Sequence, residues 1–125
     1  MLIFQPNTIK EYLKYIEKTD PDVLFLTNPT YEGLCLDLTN LIKRVREIRP
    51  NLIIFVDEAW GAHLNFSDNL PVSAMQAGAD VCTQSTHKQG GALQQTSMIH
   101  IKGDRINREL LLASYRHLYT TSPSF

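Results

Sequence analysis

The chain has 125 residues, 43% hydrophobic and 20% charged, with a formal net charge of −1. That is the composition of an ordinary soluble protein with room for one modest core, and it gives no electrostatic reason to expect nucleic acid or an anionic membrane as partner. No run approaches the ~18 apolar residues of a membrane span, and Met1 to Pro6 lack the basic start and the length of a signal peptide.

The predicted elements alternate. Thr8-Ile9-Lys10-Glu11 has the form of a capping box, and Ile9, Tyr12, Leu13 and Ile16 follow at helical spacing until Asp20-Pro21 breaks the pattern. Val23 to Thr27 is a buried strand ending at the turn Asn28-Pro29-Thr30. Asp37 caps a second helix over Leu38 to Arg49, with Leu38, Leu41, Ile42, Val45 and Ile48 on one face and Pro50 as its stop. On that helix Lys43, Arg44, Arg46 and Arg49 form a solvated face that also suits the end of a helix dipole.

Leu52 to Val56 is a continuous apolar run of the kind covered on both faces of a sheet. A short helix follows over Val72 to Ala77, closed by Gly78. Val81 to Gln84 and Ser97 to Ile101 are the third and fourth strands, the last too close behind its predecessor for a helical crossover and therefore antiparallel. A final helix spans Asp104 to Tyr119, before Ser122-Pro123. The expected fold class is α/β, a mostly parallel sheet with crossover helices, forming one domain at most.

In such sheets ligands bind beyond the carboxyl ends of the strands. Asn28, Asp57 and the run Ser85-Thr86-His87-Lys88 each follow a strand, so all three polar clusters fall on one edge. Lys88 is preceded by two hydroxyls and a histidine and followed by Gln89-Gly90-Gly91. An amine and a carboxylate placed this way are what pyridoxal phosphate needs: a lysine for the Schiff base, and an acid that keeps the pyridine nitrogen protonated. Ser85, Thr86 and His87 are the donors its phosphate wants. Cys35 and Cys82 lack a CxxC pattern and are expected as small hydrophobes in a reduced, intracellular protein. The four histidines show no metal-ligand spacing.

Several readings stay open. Asp57 also suits a turn cap, Ser85 a local backbone contact, and Trp60 the core as well as a cofactor's side. His63 is most simply a partly buried loop histidine.

Ser85-Thr86-His87-Lys88, followed by Gln95 and Ser97, resembles the pyridoxal-phosphate attachment signature of the ornithine/lysine/arginine decarboxylase family. Asp57-Glu58-Ala59-Trp60 resembles that family's Asp-x-Ala segment, and Asn28-Pro29-Thr30-Tyr31-Glu32-Gly33 its preceding turn. The resemblance runs from about Val23 to Phe125. It implies a large domain of the aspartate-aminotransferase fold (fold type I), with residues 1–125 a partial cofactor-binding major domain truncated at both ends. It also implies a role for each residue. Lys88 forms the Schiff base and Asp57 pairs with the pyridinium nitrogen. Ser85 and His87 bind the phosphate, Ala59 packs on the ring, and Trp60 lies near the phenolic oxygen. The implied reaction decarboxylates lysine, arginine or ornithine to a polyamine or its precursor, in a cytoplasmic homo-oligomer of dimers or larger. The alternatives are an inactive remnant that acts at most as an interaction partner, or another fold type I enzyme such as an aminotransferase or lyase.

Overall fold

Four short strands make the sheet, and the computed structural model describes residues 8–118. β1 (Val23–Thr27), β2 (Ile53–Asp57), β3 (Val81–Gln84) and β4 (Met98–Ile101) lie side by side in that order. The first two pairings are parallel and the last antiparallel. Parallel neighbours need a crossover. α2 (Leu38–Ile48) supplies the first; a 3-10 turn (Leu64–Phe66) and α3 (Ala74–Ala77) lie on the second. α1 (Ile9–Thr19) precedes β1, the single helical turn α4 (Thr86–Gln89) joins β3 to β4, and α5 (Arg108–Leu118) ends the described residues. The expected α/β class, mostly parallel sheet and antiparallel fourth strand are all observed.

Local chemistry explains the helix starts. The Thr8 hydroxyl accepts the Glu11 N–H and the Glu11 carboxylate accepts the Thr8 N–H, so the capping box is formed. Asp37 accepts the Asn40 N–H at 3.1 Å and opens α2. Leu38, Leu41, Ile42 and Val45 of α2 then pack with Leu13 and Ile16 of α1, Leu26 of β1, Ile54 and Val56 of β2, and Cys82 of β3. Each such side chain removed from water stabilises the fold by about 1.5–3 kcal/mol.

The boundaries differ from expectation in small ways. Ile48 ends α2 and is 37% exposed, while Leu41 and Val45 are fully covered, because the apolar face has rotated away by the last turn. Leu52 is buried but lies just ahead of β2. Ser73 caps α3, which therefore starts at Ala74 rather than Val72. Asn107 accepts the Leu110 N–H at 3.0 Å, so α5 starts at Arg108 rather than Asp104. No element was expected over Thr86–Gln89, where α4 forms. The expected end of the last helix at Tyr119, its stop at Ser122-Pro123, and the reading of Met1 to Pro6 lie outside the described residues.

Arg46 corrects the picture of a wholly solvated basic face. It reaches Asp80, which directly precedes β3, at 2.6 Å. It also donates to the carbonyls of Pro50 and Leu52. Arg49 pairs with Asp20 at the end of α1. β1 is an edge strand with Val23 and Phe25 exposed, and α5 buries none of its residues. No helix among the described residues is long and apolar enough to cross a membrane.

Candidate functional site

Strand register sets the frame. Thr27 pairs with Asp57 and Asp57 with Thr83, so the ends of three parallel strands are level and their following residues share one edge. Asp57 is half-buried as the last residue of β2, and its Oδ1 accepts the Ala59 N–H at 3.1 Å. The turn-cap role is therefore real, and one oxygen remains for other partners. Asp57, Ala59, Thr83, Ser85, Ser97 and Tyr115 line a cavity of about 280 Å³. A carboxylate and four hydroxyl-bearing residues thus converge on one space.

α4 is held tightly for so short an element. The Lys88 N–H donates to the Ser85 carbonyl at 3.0 Å and the Gly90 N–H to the Thr86 carbonyl at 2.9 Å. A Cβ at Gly90 would come within 2.9 Å of that same carbonyl, so the close return of the chain requires glycine. Thr86 is buried and its hydroxyl meets that of Thr96 at 3.0 Å. His87 Nδ1 lies 2.8 Å from the Thr96 carbonyl. A carbonyl only accepts, so Nδ1 carries the proton and Nε2 is the ring's other nitrogen to offer.

Lys88 is exposed, with Nζ 4.6 Å from the centre of the Trp60 ring. Trp60 is half-buried and meets Tyr31 edge to face, ring centres 5.7 Å apart. These two aromatics, with Pro29, Glu32, His63 and Gln89, border a second cavity of about 440 Å³. The structure therefore brings Asp57, Ala59 and Ser85 to one cavity and sets Lys88 on Trp60 at the wall of the next. His87 donates back into its own loop. Trp60 is neither wholly core nor wholly free.

One further residue is given no role by the sequence. Glu58 is 0% exposed. Its Oε1 accepts the Ala74 N–H at 2.7 Å, and its Oε2 accepts Gln84 Nε2 at 2.6 Å and the Cys82 thiol at 3.4 Å. The signal was present: Ile54 and Val56 face the core, and the same two-residue alternation carries Glu58 inward. Asn28 is also fully covered. It donates its N–H to the Asp57 carbonyl at 2.9 Å and accepts the Leu36 N–H at 2.7 Å. Asn28 Nδ2 and His63 Nδ1 are buried with no hydrogen-bond partner among the described residues.

Both cysteines are free. Cys82 is the buried hydrophobe expected, and burial first, then neighbouring Glu58, push its thiol well above the usual range. Cys35 is exposed, contrary to expectation, because its loop runs over the surface. Among the described residues no group of three or more His, Cys, Asp or Glu could hold a metal. The donor set at the strand edge does fit pyridoxal phosphate in kind: a half-buried carboxylate, hydroxyls from Thr83, Ser85 and Ser97, and nearby an amine that lies over Trp60.

A family model described as Orn/Lys/Arg decarboxylase, major domain, matches residues 1–125. An arginine decarboxylase of Bacillus cereus is 39% identical over 119 residues, 94% of this chain and 25% of the relative. An arginine decarboxylase of Bacillus subtilis is 38% identical over 109 residues, covering 87% and 22%. The inducible lysine decarboxylase of Escherichia coli is 36% identical over 129 residues, covering 98% and 17%. The chain thus spans about a quarter or less of the length of the curated relatives it matches.

Proposed function

The chain belongs to the Orn/Lys/Arg decarboxylase family, and from that premise we propose that residues 1–125 form the central part of the cofactor-binding major domain of a basic amino-acid decarboxylase. The observation that carries this reading is the register. Asp57 ends β2, and Lys88 follows the end of β3, its direct neighbour. The domain is of fold type I, incomplete at both ends relative to the family, and its cofactor is pyridoxal phosphate.

When bound, the cofactor supplies an electron sink for the bond to the departing carbon dioxide. Lys88 holds it through its side-chain amine. Asp57 uses the oxygen not engaged by Ala59 to keep a proton on the ring nitrogen. Ser85 binds the phosphate through its hydroxyl. His87 reaches that phosphate as a donor when Nε2 is also protonated, since Nδ1–H is committed to Thr96. Ala59 lines the same cavity and would pack its methyl against the ring. Trp60 excludes water beside the amine and would neighbour the cofactor on its phenolic side. The substrate is lysine, arginine or ornithine, the product a polyamine or its precursor, and the setting a cytoplasmic homo-oligomer.

A second reading is a chain that carries the motif without a working site. It is favoured by the exposure of Lys88, whose amine rests on Trp60 rather than in the cavity of Asp57. Mixing the purified chain with pyridoxal phosphate, trapping with borohydride and mapping peptides separates the two. The expected result is a visible absorption band and a selective adduct at Lys88, both lost in Lys88→Ala. Labelling spread over surface lysines, unchanged in Lys88→Ala, establishes the second reading instead.

A further inference from the structure

The buried carboxylate of Glu58 has no role in the chemistry described so far, and we infer that Glu58 is a positioning residue that fixes the turn carrying Lys88 relative to Asp57. This rests on the assignment of Lys88 and Asp57 just given. Among the described residues no cation pairs with Glu58. Its oxygens are met instead by a peptide N–H, an amide and a thiol. A carboxylate desolvated without a countercharge is a poor way to gain stability, since an apolar side chain of similar volume usually serves as well. What it gains here is geometry.

Glu58 follows Asp57 directly, and its N–H also donates to the Thr83 carbonyl at 2.8 Å. Its side chain then grips Gln84, the last residue of β3, which leads into Ser85 and the turn that presents Lys88. The far end of Gln84 is held too, its Oε1 lying 3.0 Å from His100 Nε2 on β4. A clasp of three side chains, Glu58, Gln84 and His100, therefore crosses β2, β3 and β4 just beneath the edge. With Gln84 Nε2 turned to Glu58, Gln84 Oε1 accepts from His100, so His100 carries a proton on Nε2. The other Glu58 oxygen anchors Ala74 at the start of α3. Gly61 makes room for the arrangement, because a Cβ there would run into Glu58 Cγ and come within 2.9 Å of Pro29 Cδ.

The clasp has a signature that general loosening lacks. Glu58→Gln keeps an acceptor for the Ala74 N–H and places an amide N–H against Gln84. Gln84 then turns over, and neutral His100 moves its proton from Nε2 to Nδ1, which side-chain ¹⁵N spectra report. In the same protein, trapping of pyridoxal phosphate at Lys88 falls roughly tenfold, as small misplacements of a reacting group do. Trapping at the exposed Lys14 and Lys43 stays at the parent level. Without cofactor, amide exchange of Lys88 and Gly90 accelerates while Leu41 and Val45 of α2 keep their protection. Glu58→Ala moves each readout further in the same direction, and Glu58→Gln decides if the alanine protein does not fold. Parent-like trapping and exchange at Lys88 in Glu58→Gln overturn the inference, as does a loss of protection spread evenly into α2. If Lys88→Ala retains the adduct, the assignment of Lys88 falls first. The exchange of Lys88 and Gly90, read without cofactor, then still decides whether Glu58 holds the turn.

Discussion

At the amino end of β3, Asp80 is 2% exposed and is met by two guanidinium groups, Arg46 at 2.6 Å and Arg105 at 3.1 Å, and by the Ile54 N–H at 2.8 Å. At the carboxyl end of β2, Glu58 is fully covered and is met by neutral donors alone. Both are carboxylates under the same sheet, one at each end of the strands. The first is charge-compensated and ties α2 and the segment before α5 to the sheet, which is a stapling arrangement. The second lies where α/β sheets bind ligands, and its donors connect the elements that carry Asp57 and Lys88. The contrast shows one sheet dividing its labour, with cohesion at one edge and placement at the other.

The largest effect expected from disturbing that division is at Asp80. Asp80→Ala removes the countercharge of two guanidinium groups, which keep backbone carbonyl partners, and the acceptor of a buried N–H, and is expected to cost about 3 kcal/mol, the low end for a broken buried pair. Urea unfolding measures it, and a loss below about 1 kcal/mol, the range of a surface pair, would erase the contrast. Gly61→Ala tests the packing of the other edge. It forces a methyl against Glu58 and Pro29, with an expected loss of about 1–3 kcal/mol, read from the thermal midpoint, and it weakens cofactor trapping as Glu58→Gln does. A neutral result would mean that the space under the clasp is slack.

A third effect is absent at neutral pH and appears only in alkali. The Cys82 thiol is held well above its ordinary value of 9.0, first by burial and then by Glu58. Above that value the unfolded chain releases the proton while the native state retains it. Native protein then binds more protons and stability falls as pH rises, by at most about 1.4 kcal/mol per pH unit. Below the ordinary value the contribution is fully present and the slope vanishes. Cys82→Ala is expected to flatten this slope in urea midpoints taken across pH 8 to 11 (roughly one unit below to two above that value). An unchanged slope would show that Glu58 and burial do not govern the thiol.

Much of the fold was legible because it follows from periodicity. Leu41, Ile42 and Val45 sit at helical spacing, Val23 to Thr27 and Leu52 to Val56 are short apolar runs, and turn residues separate them. The convergence of Asn28, Asp57 and Ser85 on one edge was likewise deducible from parallel topology. What escaped depends on partners distant in sequence. Asp80 in Gly78-Ala79-Asp80 looks like any turn acid until Arg46, far back on α2, folds over it. Glu58 looks like a companion of Asp57 until Gln84 arrives from another strand. The helical turn at Thr86–Gln89 owes its shape to Thr96 returning against Thr86 and His87, which local propensity does not encode. Cys35 was misjudged because residue type predicts burial only on average.

The stacking of Lys88 over Trp60 has a practical consequence. Trp60 is the only tryptophan in the chain, and a cationic amine 4.6 Å from its ring perturbs the emitting state directly. Fluorescence excited at the red edge, where the five tyrosines do not absorb, therefore arises from a single indole at this one amine. Any carbonyl compound that neutralises or displaces that amine registers as a change in emission, and the unlabelled protein becomes its own optical titrant.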